Sequence, residues 1–377
     1  MDPYLVIFFV NLAISFIANK FYDRDEKIIS ILFLMLLVII NTLFSGLRDF
    51  GVGIDTNVYI EPYFQRALSL RNVKDFVLSD GDKGFLLLAY LSTMFSHEPQ
   101  TLLIVIALFI NVFIYMSLWQ YKKAIGVNMF VATALLSIGF YCHTLNLMRQ
   151  FCAISILCYA FSLFVQGKKI CYLILQILSY FFHSTSICFL FVPVLWNISR
   201  IDNTQKQKKY LVILIVFFVL FIPSYYYVIS LLGDFSIITD TYVDRYGANS
   251  EYIISKTSSG TGLGKIFLFV YPIAFVVWGI LKKCLDSKIL YFLLVLSIIS
   301  SFIQTLSYQV EFVDRIGFYF SFVLYVFLTM LFTSSEINGL IKVMMFAIYI
   351  FNWINMYVIG GGGDIYPYKS KKLEITE

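Results

Sequence analysis

The sequence predicts an all-α fold: a polytopic bundle of about 12 transmembrane helices, forming one integral membrane domain over residues 1–377. Three observations lead there. Hydrophobic residues make up 60% of the chain and charged residues 14%, a balance that excludes an ordinary soluble domain. Apolar runs recur from end to end, with no long polar block. Most of them approach the roughly 20 residues that a helix needs to cross a hydrocarbon layer about 30 Å thick.

The elements follow in order. Runs at 4–19 and 28–45 predict the first two spans, and residues 46–83 form a polar loop. The run at 84–96 has only about 13 residues, a length that suits a re-entrant or interfacial helix better than a crossing. Spans follow at 101–121, 128–145 and 150–166. The stretch 170–197 is apolar but interrupted by His183, Ser184, Thr185 and Ser186, which predicts two short crossings or one broken hairpin. Further spans are expected at 210–232, 266–281, 289–308, 316–333 and 340–358, with a second polar loop at 233–265.

Orientation comes from lysine and arginine. In the loops holding Lys122, Lys168, Arg200, Lys206 and Lys282, taken together with residues 20–27, basic residues outnumber acidic ones, so the positive-inside rule puts them in the cytoplasm. The count of crossings then works only if 84–96 does not cross. Both termini and the loops 46–83 and 233–265 fall outside, although Lys369, Lys371 and Lys372 in the tail run against the rule. No basic region precedes the first apolar run, so that helix is expected to be retained rather than cleaved. The six cysteines lack metal-ligand spacing and read as packing residues.

This topology sends the unusual polar groups to one side. The motif "GLRDFGVGIDTNVY" at 46–59 packs Arg48, Asp49 and Asp55 around Gly51 and Gly53. Arg149 begins a helix, His183 sits at the turn of the broken hairpin, and Asp240, Asp244 and Arg245 lie in the second loop. Glu311, Asp314 and Arg315 head another helix, and "GDIYPY" brings Tyr366 and Tyr368 in the tail. A central Arg or Asp costs about 2.5–3.5 kcal/mol on insertion scales, so convergence on one face points to a shared wet cavity. Each residue also has a plainer reading. Arg48 with Asp49 suits an interfacial ion pair, Asp55 a helix cap, His183 a satisfied turn histidine, and Arg315 a pair with Glu311 one turn earlier. Arg149 is different: its charge opposes the helix macrodipole, which favours binding an anion over capping.

Three motifs are discounted. "SSGTGLGK" at 258–265 lacks the spacing of a phosphate loop and follows no strand. "DGD" at 80–82 resembles a metal-binding acid pair but reads as a turn beside Ser79 and Lys83. "GGGG" at 360–363 reads as a pliable link.

The motif with Arg48, Gly53, Asp55 and Tyr59 resembles the signature of EpsG-type proteins, the group that includes many Wzy-type O-antigen and capsule polymerases. "KGFLLLAYL", "NLMRQFCAIS" with Arg149 and Gln150, "FFHSTSI" with His183, "DRIGFYF" with Arg315, and "IYPYKS" are similar in kind and order. The resemblance implies a membrane glycosyltransferase of GT-C-like helical architecture in the bacterial inner membrane. It would join undecaprenyl-diphosphate-linked oligosaccharide repeats on the periplasmic face, with a chain-length regulator as a partner.

Residue chemistry suits that implication. A donor outside the cytoplasm must arrive already activated, and a diphosphate leaves well when its growing charge is neutralised. Arginine stays protonated and forks onto phosphate oxygens, so Arg48, Arg149, Arg315 and Arg245 are assigned to the diphosphate. Asp55 is the first choice of base for the acceptor hydroxyl and His183 the second, while Asp49 orients Arg48. Tyr59 and Tyr366 are expected to stack on sugars. No cofactor, metal or nucleic acid is called for. The rivals are a flippase for the same lipid-linked glycan, an O-antigen ligase and a membrane acyltransferase using His183.

Overall fold

A computed structural model describes residues 2–199, 205–207, 209–217, 287–306 and 311–375. Among the described residues the chain is helical, with one isolated bridge between Ser370 and Ile375. Six of these helices are long and apolar enough to cross a membrane: Pro3–Asp23, Lys27–Gly46, Gln100–Ile125, Met148–Val165, Arg315–Thr333 and Gly339–Ile359. Most of the expected span at 210–232, the whole of that at 266–281 and the loop 233–265 lie outside the described residues. The chain divides into two compact units, Met1–Phe189 with Leu328–Glu377, and Leu190–Phe327.

In the first unit, α1 (Pro3–Asp23) begins where the Asp2 carboxylate accepts the N–H groups of Tyr4 and Leu5. It pairs with α2 (Lys27–Gly46), and buried Asn11 and Asn41 exchange amide hydrogen bonds of 2.9 and 2.8 Å across the pair. Satisfying these amides within the bundle removes the cost of burying them unpaired. Then come α3 (Ile54–Ser69), α4 (Val73–Leu78), α5 (Lys83–Thr93) and α6 (Gln100–Ile125). The expected span at 128–145 is bent at Phe140 into α7 (Met129–Gly139) and α8 (Tyr141–Asn146), and α9 (Met148–Val165) and α10 (Lys169–Phe182) follow.

Two ends of this unit can be told apart from its contacts. At one end, Lys122 near the close of α6 pairs with Asp23 at 2.7 Å, the Asn19 side chain accepts the Met129 N–H at 3.0 Å, and Gln166 donates to Gln120 at 2.9 Å. At the other, Gln100 at the head of α6 donates to the carbonyls of Gly46 and Arg48, where α2 has just stopped. So α3, α4 and α5 leave and return on the same side. The 11 residues of α5 cover about 16 Å, too short for a crossing. That agrees with the reading of 84–96 as a segment that does not traverse.

The break at His183 is a reversal. His183 has extended backbone, and the 3-10 helix Ser184–Phe191 runs back along α10, with Tyr172 Oη donating to the Phe189 carbonyl at 2.6 Å and Gln176 to that of Ser186 at 2.8 Å. This is the broken hairpin.

After α14 (Gly339–Trp353), a single π turn and the glycine run, the tail folds onto the loop behind α2. Buried Tyr368 stacks on Phe44 at 4.1 Å and donates to its carbonyl at 2.6 Å. The Asp49 N–H bonds the Lys369 carbonyl and the Gly53 N–H that of Asp364, both at 2.9 Å, while the Asp49 carboxylate accepts from the Lys371 N–H. The tail therefore shares an end with residues 46–53, and Lys372 finds Glu98 there at 3.3 Å.

The second unit contains α11 (Val192–Ser199), α12 (Lys288–Leu306) and the part of α13 (Glu311–Thr333) up to Phe327. Trp196 meets Phe292 edge-on at 4.9 Å.

Candidate functional site

Arg48 is only 1% exposed. Its Nε donates to the Val52 carbonyl at 3.1 Å, Nη1 to the Ser45 carbonyl, and Nη2 to the Leu145 carbonyl at 2.8 Å and Thr56 Oγ1 at 3.2 Å. Burial pushes its pKa down to about 10, so it remains cationic at neutral pH. The guanidinium pins the loop 46–56 to the end of α8. Expected at the diphosphate, it faces the protein interior here. Asp49 orients the tail, through Lys369 and Lys371, rather than Arg48.

Gly53 starts α3 with φ of +92°, and a Cβ there would lie 2.5 Å from the Leu145 carbonyl oxygen. Only glycine takes this turn without strain. It aims the first turn of α3 at the α8–α9 junction, where the Asp55 N–H bonds to Asn146 Oδ1 at 3.1 Å. Asp55 is half-buried in the first turn of α3.

One turn along α3, Tyr59 lies against Arg149. The guanidinium carbon stands 3.8 Å from the ring centroid, a cation–π contact, and Nη1 meets Asp82 Oδ2 at 2.8 Å. Both charged side chains keep partial exposure, 23% for Arg149 and 22% for Asp82. Tyr63 completes the group: its hydroxyl accepts the Asp82 N–H at 3.2 Å and its ring meets Phe85 edge-on at 4.9 Å. Gly81, with φ of +93°, lets the chain pass that hydroxyl, since a Cβ would come within 2.4 Å of it. Burial raises the Asp82 pKa above the usual carboxylate range, against the opposing pull of Arg149. Three helices thus meet at one partly open ion pair: α3 with Tyr59 and Tyr63, α5 with Asp82 at its head, and α9 with Arg149.

His183 follows Phe182, whose ring packs directly on Gly84, and its Nδ1 is 2.9 Å from Thr185 Oγ1. Tyr366 lies on the other side of the loop, stacked on Tyr4 at 6.3 Å, beside an open polar groove of about 770 Å³ lined by Asp49, Gln100, Asp364 and Lys371. Arg315 is half-buried on α13 in the second unit, and Arg245 lies outside the described residues. Cys142, Cys152 and Cys158 are buried, as packing residues should be, while Cys171 is exposed and Cys284 is outside the described residues. Among the described residues no three His, Cys, Asp or Glu side chains are grouped to hold a metal.

Asp82 and Tyr63 are the residues that sequence reasoning passed over. "DGD" does make the expected turn, yet its second carboxylate is the partner of Arg149, 67 positions away. The overlooked signal was an acid placed directly before an apolar run too short to cross.

The EpsG family model matches residues 31–370, a range that takes in the whole α3–α5–α9 cluster. This chain belongs to the EpsG family. The family is associated with Wzy-type polymerases, so membership points to a membrane protein of polysaccharide synthesis. No curated protein and no solved structure matches the chain.

Proposed function

We propose that this protein is a polysaccharide polymerase. It transfers a growing glycan from undecaprenyl diphosphate to a hydroxyl of the next undecaprenyl-diphosphate-linked repeat, on the periplasmic face of the bacterial inner membrane. A GT-C-like bundle of about 12 spans and a chain-length regulator as partner complete the reading.

One observation supports it most: Arg149, cationic, partly open and held over the Tyr59 ring with Asp82 as its counter-ion. A guanidinium fixed in this way is preorganised to fork onto two phosphate oxygens, and charge building on a departing diphosphate is stabilised without reorganisation. Half-exposed Tyr59 is the aromatic residue beside it that a sugar ring can reach, while buried Tyr63 braces the Tyr59 ring from within. Arg48 serves the same site at one remove, by holding the loop from which α3 springs. Asp55 and Asp82 are the carboxylates near this mouth that could take the acceptor proton.

The test uses purified protein and lipid-linked repeat units. Arg149→Ala should cut polymer formation by about 100-fold or more, with Arg149→Lys keeping a fraction of the rate. Full-length polysaccharide from Arg149→Ala cells at normal protein level would end this reading. In cells, a deletion strain should retain single-repeat glycan; bare core would point to transport or ligation.

A further inference from the structure

Resting on the diphosphate reading of Arg149, we infer that Asp82 is an exchangeable counter-ion that becomes the base for the acceptor hydroxyl once the donor diphosphate has taken Arg149 from it. The exchange is a matter of geometry. Arg149 has one carboxylate at 2.8 Å and a partly open edge, so an entering diphosphate competes with Asp82 for the same donors. A dianion that accepts two parallel N–H bonds outbids a single-oxygen contact.

Asp82 has little else to turn to. The Lys83 ammonium next to it donates to the carbonyls of Phe76 and Val77, at 3.2 and 3.0 Å, and to that of Ser79. The Asp82 side chain makes no capping bond to α5, and its backbone is held by Tyr63 Oη. The carboxylate thus stays in place when its cation is drawn away.

Losing a cation and gaining a neighbouring anion both make a carboxylate more basic. The proton affinity of Asp82 therefore rises when donor is bound, adding to the rise that burial already gives it. In the reaction, the acceptor O–H bond breaks and its proton goes to the Asp82 carboxylate. The acceptor oxygen bonds the anomeric carbon, the anomeric carbon–oxygen bond to the diphosphate breaks, and that electron pair stays on the diphosphate beside Arg149. As the diphosphate departs it carries off the proton, directly or through water, and the Asp82–Arg149 pair re-forms.

The test titrates undecaprenyl diphosphate in detergent micelles into the full-length protein and measures turnover of lipid-linked repeats in parallel. Asp82→Asn should bind undecaprenyl diphosphate at least as tightly as wild type while kcat falls about 100-fold or more. Wild-type kcat in Asp82→Asn, or a loss of binding that accounts for the loss of rate, would overturn the inference. Should Asp82→Asn fail to fold, Asp82→Glu decides. The extra methylene displaces the carboxylate by about 1 Å, so retained binding with kcat lowered up to about 100-fold supports the role, and unchanged kcat sinks it. Arg149→Gln separates the two levels: if it binds undecaprenyl diphosphate like wild type, the diphosphate reading itself fails, whatever Asp82 does.

Discussion

Arg48 and Leu145 are joined by a 2.8 Å hydrogen bond from guanidinium to backbone carbonyl, across 97 positions of sequence. The bond ties the loop behind α2 to the end of α8, just before α9, and so fixes where Tyr59 and Arg149 can meet. Arg48→Ala leaves the buried carbonyls of Ser45 and Leu145 without this donor, at about 1–3 kcal/mol each. The expected outcome is a clear fall in Tm of the detergent-solubilised protein and in its membrane level. Arg149→Ala, which removes a partly exposed pair worth about 1 kcal/mol or less, should keep its level and lose product. Wild-type stability in Arg48→Ala would refute the clamp.

The two glycines of the motif should respond differently. Gly53→Ala forces a side chain into a left-handed turn and against the Leu145 carbonyl, a cost of about 1–3 kcal/mol. Gly51→Ala meets nothing within 4 Å and should leave stability within about 0.5 kcal/mol of wild type. Thermal melts of the two variants side by side check this, and equal destabilisation would contradict the turn geometry.

The tail should behave as a packed part of the first unit. Tyr368→Phe removes one buried hydrogen bond and should cost about 1 kcal/mol. Tyr368→Ala also empties the stack on Phe44, for about 3 kcal/mol or more. Limited proteolysis near residues 360–363 should speed up in the order wild type, Phe, Ala; identical cleavage rates would mean that the tail is not held there.

Cysteines at Arg71 and Lys371 should react with a membrane-impermeant maleimide from the same side of the bilayer, since both belong to the end where α2 stops. A cysteine at Lys123, next to the Lys122–Asp23 pair, should react from the other. In spheroplasts the first two are expected to label and the third only after lysis, relative to the parent's background. Labelling of Arg71→Cys and Lys371→Cys from opposite sides would disprove the shared end. Labelling of both only after lysis would instead overturn the periplasmic assignment.

Much of the first unit was legible in the sequence because membrane helices announce themselves by run length alone. The shortness of the helix at 84–96 was legible for the same reason, and the reversal at His183 because four consecutive polar residues interrupt a greasy stretch. The site was legible by residue type but not by contact. Nothing local distinguishes a guanidinium turned inward, like that of Arg48, from one held at an opening, like that of Arg149. Arg48 is drawn in because α8 ends with a free carbonyl at Leu145, a fact of tertiary packing. Asp82 hid inside a true turn, since spacing rules look a few residues away and its partner is on α9. Of the tail tyrosines only Tyr366 read as a sugar platform, and aromatic residues serve both recognition and packing. Tyr368 does the latter, beneath a loop that no pattern in 360–370 could disclose.

The hydroxyl of Tyr4 donates to the carbonyl of Ile365 at 2.6 Å, so two stretches separated by 361 positions close upon each other. During synthesis, the ribosome must therefore deliver nearly all of this polypeptide before the arm bearing Tyr59 acquires its final support. A half-made molecule already sitting in the bilayer would hold the loop 46–53 without the contacts that the tail supplies. The last stretch to be made is thus the one that closes over the loop behind α2.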